Sequence, residues 1–411
     1  MFRSHRLANG LEIVAECNPE SHSEALGFFV KTGSRDESDD VAGVSHFLEH
    51  MVFKGTPTRS GEDVNREFDE MGAHYNAYTS EESTVYYASL LPEYQEQAVD
   101  LLADILRPAL RGEDFDTEKQ VIIEEIKMYE DQPPFGADEK CKAAYFGTHA
   151  LGRSVLGTVD SVGNLPVDKM RNYFAQRYSP ANIVLAAAGK VDFEALVATA
   201  ESRCGSWVPF DTGRSIQAAK PHPGFTCIQK PSATQEYAVQ LAAAPSVTDD
   251  DRFAAKVLAT VVGDDSGSRL YWELIDPGLV EHISLSHCDY LGTGLFMTYM
   301  SCAAELAPQN LKRVLDLYRR VEEGGIEQTE LEQAKRKINS RVVLSSERPR
   351  GRLFTVGSNW TQRGEYRTVR DDLDAVAAVT LDDITRVLKK YPLSVSTTVV
   401  IGPLADVAEP K

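Results

Sequence analysis

The stretch VAGVSHFLEHMVFKGT, residues 41–56, decides how the rest of the chain is read. On a helix His46 and His50, four apart, share a face and can grip one ion. Glu49 lies three positions after His46 and shares that side. Phe47, Leu48, Met51 and Val52 turn the other way and anchor the helix in a core. Two neutral imidazoles suit zinc, whose catalytic sites use three protein ligands and leave a position open for water. A carboxylate beside them can take a proton from that water, so Glu49 is the candidate general base.

A third ligand must come from elsewhere, and TEKQVIIEEIKMYED (117–131) is the best source. Helical spacing predicts one apolar face made of Glu118, Val121, Ile122, Glu125, Met128 and Tyr129. Glu118 and Glu125 are carboxylates on that face, and a buried carboxylate needs a partner such as a metal or a ligating histidine. Glu124 falls on the polar face with Gln120, Lys127 and Asp131. Glu125 is therefore the expected third ligand, with Glu118 next to the site.

Around these motifs the N-terminal half alternates strand and helix signals. LEIVAE (11–16), EALGFFVKTG (24–33), AHYNAYTS (73–80), STVYYASLL (83–91) and NIVLAAAG (182–189) read as strands. Helices are predicted over 41–53, 61–72, 93–107 and 114–131. VPFDTGRSIQAAKPHPG (208–224) has three prolines, two glycines and no apolar period, which marks a linker. The expected division is a zinc-binding domain over 1–210, a linker over 211–224 and a second domain over 225–411. An internal echo supports two related halves. YSPANIVLAAAGKVD (178–192) resembles YPLSVSTTVVIGPLAD (391–406), and SEALGFFVKTGSRDESDDVAGVSHFLEHMVF (23–53) resembles QEYAVQLAAAPSVTDDDRFAAKVLATVV (235–262). In the second copy Lys256, Ala259 and Thr260 stand where His46, Glu49 and His50 stand in the first, so it keeps the scaffold without the ligands.

The net charge of -19, from 43 basic and 62 acidic residues, argues against nucleic acid as a partner, because no cationic excess neutralises phosphates. No run reaches the roughly 18 apolar residues of a membrane span. Cys17, Cys141, Cys204, Cys227, Cys288 and Cys302 are scattered without CxxC spacing, which suits reduced thiols and a cytoplasmic location.

Taken together, LANGLEIV (7–14), HFLEHMVFKGT (46–56), MGAHYNAYTSEESTVYYASLL (71–91), EKQVIIEEIKMYED (118–131) and HALGRSVLGT (149–158) resemble the pitrilysin-like (M16) zinc peptidases. The half-size members of that family include the mitochondrial processing peptidase β subunit. The resemblance implies an α+β fold of two tandem homologous domains, each a mixed sheet packed with helices, of the LuxS/MPP-like metallohydrolase type. It implies one zinc per chain on His46, His50 and Glu125, with Glu49 as the base and Glu118 as an assisting catalytic carboxylate. Asn76 and Ala77 fall where the family offers an edge strand to substrate. The implied activity is endopeptidase cleavage of peptides or unfolded segments inside a clamshell chamber. The implied assembly is a homodimer, with a heterodimer as the alternative, and no nucleic acid or membrane partner. The pattern breaks in SRLYWELIDPGLVEHISL (268–285). Family members that cleave carry an arginine and a tyrosine there. This chain has Ile275 in the arginine position and Glu281 or His282 in the tyrosine position, with His282 and Tyr271 as substitute donors. Arg269 belongs to an upstream element and reads as structural. The rival reading is a family member without turnover that serves as a partner or scaffold subunit.

Overall fold

EALGFFV (24–30) and IVLAAAG (183–189) have no solvent-facing side, and every residue of both is buried. A strand of this kind needs cover on both faces of its sheet. In the computed structural model, which describes residues 1–411, these two strands are the centre of a six-stranded sheet. Its members are β1 (Phe2–Arg6), β2 (Glu12–Cys17), β3 (Glu24–Val30), β4 (His74–Thr79), β5 (Thr84–Leu90) and β6 (Ile183–Gly189), in the order β1-β2-β6-β3-β5-β4. Only β2 and β6 run parallel. β4 closes the sheet as an edge.

A second sheet holds β7 (Gly224–Gln229), β8 (Glu236–Ala244), β9 (His282–Tyr290), β10 (Thr293–Cys302) and β11 (Ser396–Gly402), in the order β7-β11-β8-β10-β9. Again a single pair, β7 and β11, is parallel. Remove β1 from the first sheet and the two have the same order and directions. The echoed segments fall on matching strands: 23–53 begins with β3 and 235–262 with β8, while 178–192 and 391–406 contain β6 and β11. The repeat seen in the sequence is thus a repeated architecture, the α+β pair of mixed sheets.

The chain separates into two compact units, but not into contiguous halves. The first unit holds residues 1–127, 153–215 and 344–367; the second holds 128–152, 216–343 and 368–411. Residues 207–223 carry neither helix nor strand. The two segments that cross the expected boundary answer the need for cover on both faces. Helix Pro349–Arg363 lies on the outer face of the first sheet, where Leu353 and Val356 join Val14, Phe29, Val85, Tyr87 and Val184. It can lie this close because Gly357 has no Cβ; one would sit 2.3 Å from the Phe29 ring. Helix Ala137–Phe146 does the same for the second sheet, packing Cys141 and Tyr145 with Val239 and Val399. Helices on one face only would have left these apolar faces open.

β3 and β8 each begin with a buried glutamate, Glu24 and Glu236. Gly402 leaves the room for Glu236, since a Cβ there would lie 2.2 Å from its carboxyl group. Neither oxygen of Glu24 has a hydrogen-bond partner, and burial pushes its pKa from 4.5 up to about 8. Between these two values the folded chain keeps a proton that the unfolded chain has released. Stability from this group is full below 4.5 and is lost as pH rises through 8. Glu24→Gln cannot ionise and should remove this slope. Melting curves from about pH 5 to about pH 8 should show the wild type losing ground to the variant. Parallel curves would contradict the assignment.

Candidate metal site

The motif helix, Val44–Val52, starts at a fixed point. Gly43 has φ +90°, and a Cβ there would lie 2.6 Å from the Leu156 carbonyl oxygen. Glu37 clamps the helix start: Gly43 N–H donates to Oε2 at 2.8 Å and Ser45 N–H to Oε1 at 2.7 Å. A carboxylate on these amides meets donors that the helix itself cannot satisfy. Burial raises the Glu37 pKa to about 7, against the pull of the two amides. Ser45 Oγ and Tyr173 Oη, 2.7 Å apart, fix the same turn from the side.

Glu37 ends the segment GSRDE, 33–37, in which Ser34 through its backbone and Arg35, Asp36 and Glu37 through their side chains each bond another part of the chain. Ser34 and Arg35 donate backbone N–H groups to the carbonyls of Ser80 and Glu81. Arg35 forms a buried ion pair with Glu82. Asp36 pairs with Arg177 at 2.8 Å and with Arg214. The tip of the β4–β5 hairpin is therefore tied to the entry of the motif helix.

On the inner side, Val44, Phe47, Leu48, Met51 and Val52 are buried. Phe47 stacks on Phe115, with ring centroids 4.6 Å apart and planes at 16°. Phe115 belongs to helix Gly112–Asp131, so this stack joins the two helices. Such a pair contributes about 0.5–1.5 kcal/mol beyond its buried area. The second helix packs with a different stripe from the one its spacing suggested. Its buried line is Phe115, Glu118, Ile122 and Ile126, whereas Val121, Met128 and Tyr129 are exposed. Steps of three, four and four hold the true core line; 121, 125 and 128 lie about one residue's rotation, 100°, away from it. Glu118 is thus in the packed interior and Glu125 sits at its border, its side chain 24% exposed.

The two helices bring His46, His50 and Glu125 together, one ligand atom of each lying within 4.8 Å of the others. Glu125 Oε2 is 3.8 Å from His46 Nε2 and 3.6 Å from His50 Nε2. A tetrahedral zinc with ligands about 2.0–2.1 Å away spaces them about 3.3 Å apart, so small side-chain rotations close the set on an ion. The protonation pattern fits as well. Burial, aided by the neighbouring His50, lowers the His46 pKa to about 3 and keeps that ring neutral. His50 Nδ1 lies 2.8 Å from Glu118 Oε1; when it donates there, Nε2 keeps its lone pair for the ion. Burial works against a charged His50, but the Glu118 bond and the carboxylates of Glu125 and Glu49 outweigh it and raise the pKa of the metal-free ring. Lys54 Nζ meets the other Glu118 oxygen at 2.6 Å. Burial would raise the Glu118 pKa, yet His50 and Lys54 hold it below the usual carboxylate range.

Glu49 stands apart from the three. Its Oε2 accepts the Thr79 hydroxyl at 2.6 Å, and burial raises its pKa despite that bond. Thr79 is the last residue of β4. Asn76 is exposed on the same strand, and its Oδ1 accepts the Ala77 N–H at 2.9 Å. Ala77 turns its methyl into the core. Sequence reasoning missed Thr79, Lys54 and Glu37. Lys54 and Thr79 lie inside stretches that were singled out, but nothing in their spacing marks a partner far along the chain.

In the second unit, Arg269 pairs with Glu330 through two 2.7 Å bonds, as a structural arginine would. Ile275 packs on the second core, Gln235 donates to Glu281, and His282 is exposed at the start of β9 beside the Tyr299 ring. His149 accepts the Leu151 N–H and binds the Gln217 carbonyl, and His74 is exposed on β4.

Glu118→Gln keeps the shape but loses the charge behind His50. Zinc affinity should fall about 10–100-fold in a chelator competition. An unchanged affinity would contradict the role given to this contact.

Known proteins resemble this chain along most of its length. The family model described as insulinase (peptidase family M16) matches residues 12–159, and the one described as the peptidase M16 inactive domain matches 164–338. An uncharacterised zinc protease of Mycobacterium tuberculosis is 31% identical over 408 residues, covering 98% of this chain and 93% of its own. One from Bacillus subtilis is 31% identical over 387 residues, covering 93% and 94%. Among solved structures, a protease from Helicobacter pylori superposes with a TM-score of 0.91 at 20% identity, covering 98% and 99%. A putative M16-like peptidase from Alicyclobacillus acidocaldarius gives 0.86 at 23%, covering 98% of each chain. At these identities the two structures speak for the fold alone.

Proposed function

The chain belongs to peptidase family M16, and from that premise we propose that it is a zinc-dependent endopeptidase acting on peptides and unfolded segments. The observation that carries the reading is the convergence of His46, His50 and Glu125 on one point, with a separate carboxylate, Glu49, beside them. Bound zinc would supply the Lewis acidity that polarises a scissile carbonyl and makes water acidic at neutral pH. His46, His50 and Glu125 would hold the ion. Glu118, braced by Lys54, fixes the His50 tautomer. Glu49 accepts the proton of the attacking water and returns it to the leaving amine. The hydroxyl of Thr79 engages one Glu49 oxygen and leaves the other for the water. An extended substrate pairs with the edge strand β4 through Asn76 and Ala77, where main-chain hydrogen bonds bind peptides with little demand on sequence. Pairing of two copies into a chamber that admits unfolded chain completes the proposal. No helix is long and apolar enough to cross a membrane, in keeping with the cytoplasmic setting proposed here.

A second reading, a partner subunit without turnover, draws on Ile275 in the arginine position and on Glu281 or His282 in the tyrosine position; Ile275 packs on the second core and Glu281 accepts a bond from Gln235. One experiment separates the two. Wild type and Glu49→Gln are loaded with zinc and given a library of unstructured peptides. The peptidase reading expects about one zinc in each protein and chelator-sensitive cleavage only in the wild type. Equal cleavage by the variant contradicts the role of Glu49, and zinc-loaded wild type without cleavage favours the partner subunit.

A further inference from the structure

The edge strand has two faces, and only one of them meets the motif helix. Ala77 turns towards the core on that side, and Thr79 reaches Glu49 there. On the opposite face alternation places His74, Asn76 and Tyr78, and all three are exposed. Asn76 lies directly across from Tyr87 on β5. Helix Pro349–Arg363 brings Phe354 and Arg350 to this face. Phe354 packs edge-on against Tyr87 at 4.9 Å and lies 5.9 Å from Tyr78. Arg350 stands over these rings, its Cζ 5.0 Å from the Tyr87 centroid and 5.8 Å from that of Phe354. Its Nη2 donates to Tyr87 Oη at 2.6 Å.

Arg350 is exposed and makes no ion pair. None of the six residues on this face is acidic, although the chain as a whole carries a net charge of -19. Aromatic faces stabilise a guanidinium without neutralising it. Ordered by two rings and one hydroxyl, with further N–H donors unused, it has given up side-chain freedom before any ligand arrives. A fork of this kind matches a carboxylate.

We propose that Arg350, with Asn76, Tyr78 and Phe354, forms a subsite that selects an acidic side chain of the bound peptide. The proposal rests on the edge-strand reading above and adds to it the chemical class of one substrate residue. Successive side chains of a strand added beside β4 alternate between the two faces, so only every second residue reaches Arg350. Asn76 is three residues from Thr79, about 10 Å along the strand at about 3.4 Å per residue. The acidic residue therefore lies about three positions from the bond that Glu49 addresses.

The test is binding, so that it does not depend on turnover. Zinc-loaded Glu49→Gln is titrated into fluorescein-labelled peptides of Gly, Ser, Ala and Gln, in which one Glu replaces one residue at each position in turn. Anisotropy should show about tenfold tighter binding for Glu at one position, or at positions two apart, relative to the Gln parent. The gain should shrink with added salt, disappear in Arg350→Ala and turn into weaker binding of the Glu peptide than of the parent in Arg350→Glu. Arg350→Lys should keep a reduced part of it, because an ammonium carries the charge without the fork. The proposal is overturned if no Glu peptide binds more tightly than the parent, or if the gain survives Arg350→Glu. Cleavage of the parent peptide by wild type reports separately on the peptidase reading.

Discussion

The structure turns on one contact between two helices. Phe47 stacked on Phe115 brings the inner side of the motif helix against helix Gly112–Asp131. With that contact made, the outer turn of one helix and the border of the other have little freedom left. His46, His50 and Glu125 come to within 4.8 Å of each other as a geometric consequence. Two imidazoles and a carboxylate this close, half-shielded from water, suit a divalent cation. The ring of His46 is held neutral by burial, and that of His50 is oriented by Glu118. Burial thus prepares one imidazole and a hydrogen bond prepares the other, while the Nδ1 of His46 is buried without a hydrogen-bond partner.

A second constraint fixes the motif helix along its axis. The segment 33–37 joins three things that are distant in sequence: the hairpin tip through Ser80 and Glu81, the arginines 177 and 214 through Asp36, and the helix start through Glu37. Gly33 has no room for a side chain, since a Cβ would lie 2.2 Å from the Ser80 carbonyl oxygen. The edge strand that carries Thr79 and the helix that carries Glu49 are therefore tied together twice, once at the hairpin tip and once through the Thr79–Glu49 bond. A peptide laid along β4 would meet a base whose position is already set by the same strand.

Much of this was legible in the residues. The spacing of His46, Glu49 and His50 needs only the helical repeat, and Glu125 does come within 4.8 Å of the two rings, although the apolar stripe argued for it is not the buried line of its helix. Val121, Met128 and Tyr129 face solvent rather than core, because two stripes one residue apart on a helix are hard to separate when both hold apolar residues. The strands were legible where apolar and β-branched runs were bounded by turn residues, and the duplicated architecture followed from the two echoed segments. The exchange of helices Ala137–Phe146 and Pro349–Arg363 was not legible, since no local pattern says which sheet an amphipathic helix will cover. Nor were the roles of Glu37, Lys54 and Thr79, because each depends on a partner brought near only by the fold. Glu118 was placed beside the site from its spacing as a carboxylate in need of a metal or a ligating histidine, and the fold sets it 2.8 Å from His50 Nδ1.

The central claim is that two histidines and one carboxylate share a single zinc. Zinc K-edge absorption of the purified chain, loaded with one equivalent, addresses it most directly. The account expects two imidazoles and two oxygen scatterers at about 2.0 Å, one oxygen from Glu125 and one from water. The Glu125→Gln variant should show a changed oxygen shell with both imidazoles retained. A sulfur scatterer near 2.3 Å, or fewer than two imidazoles, would contradict it.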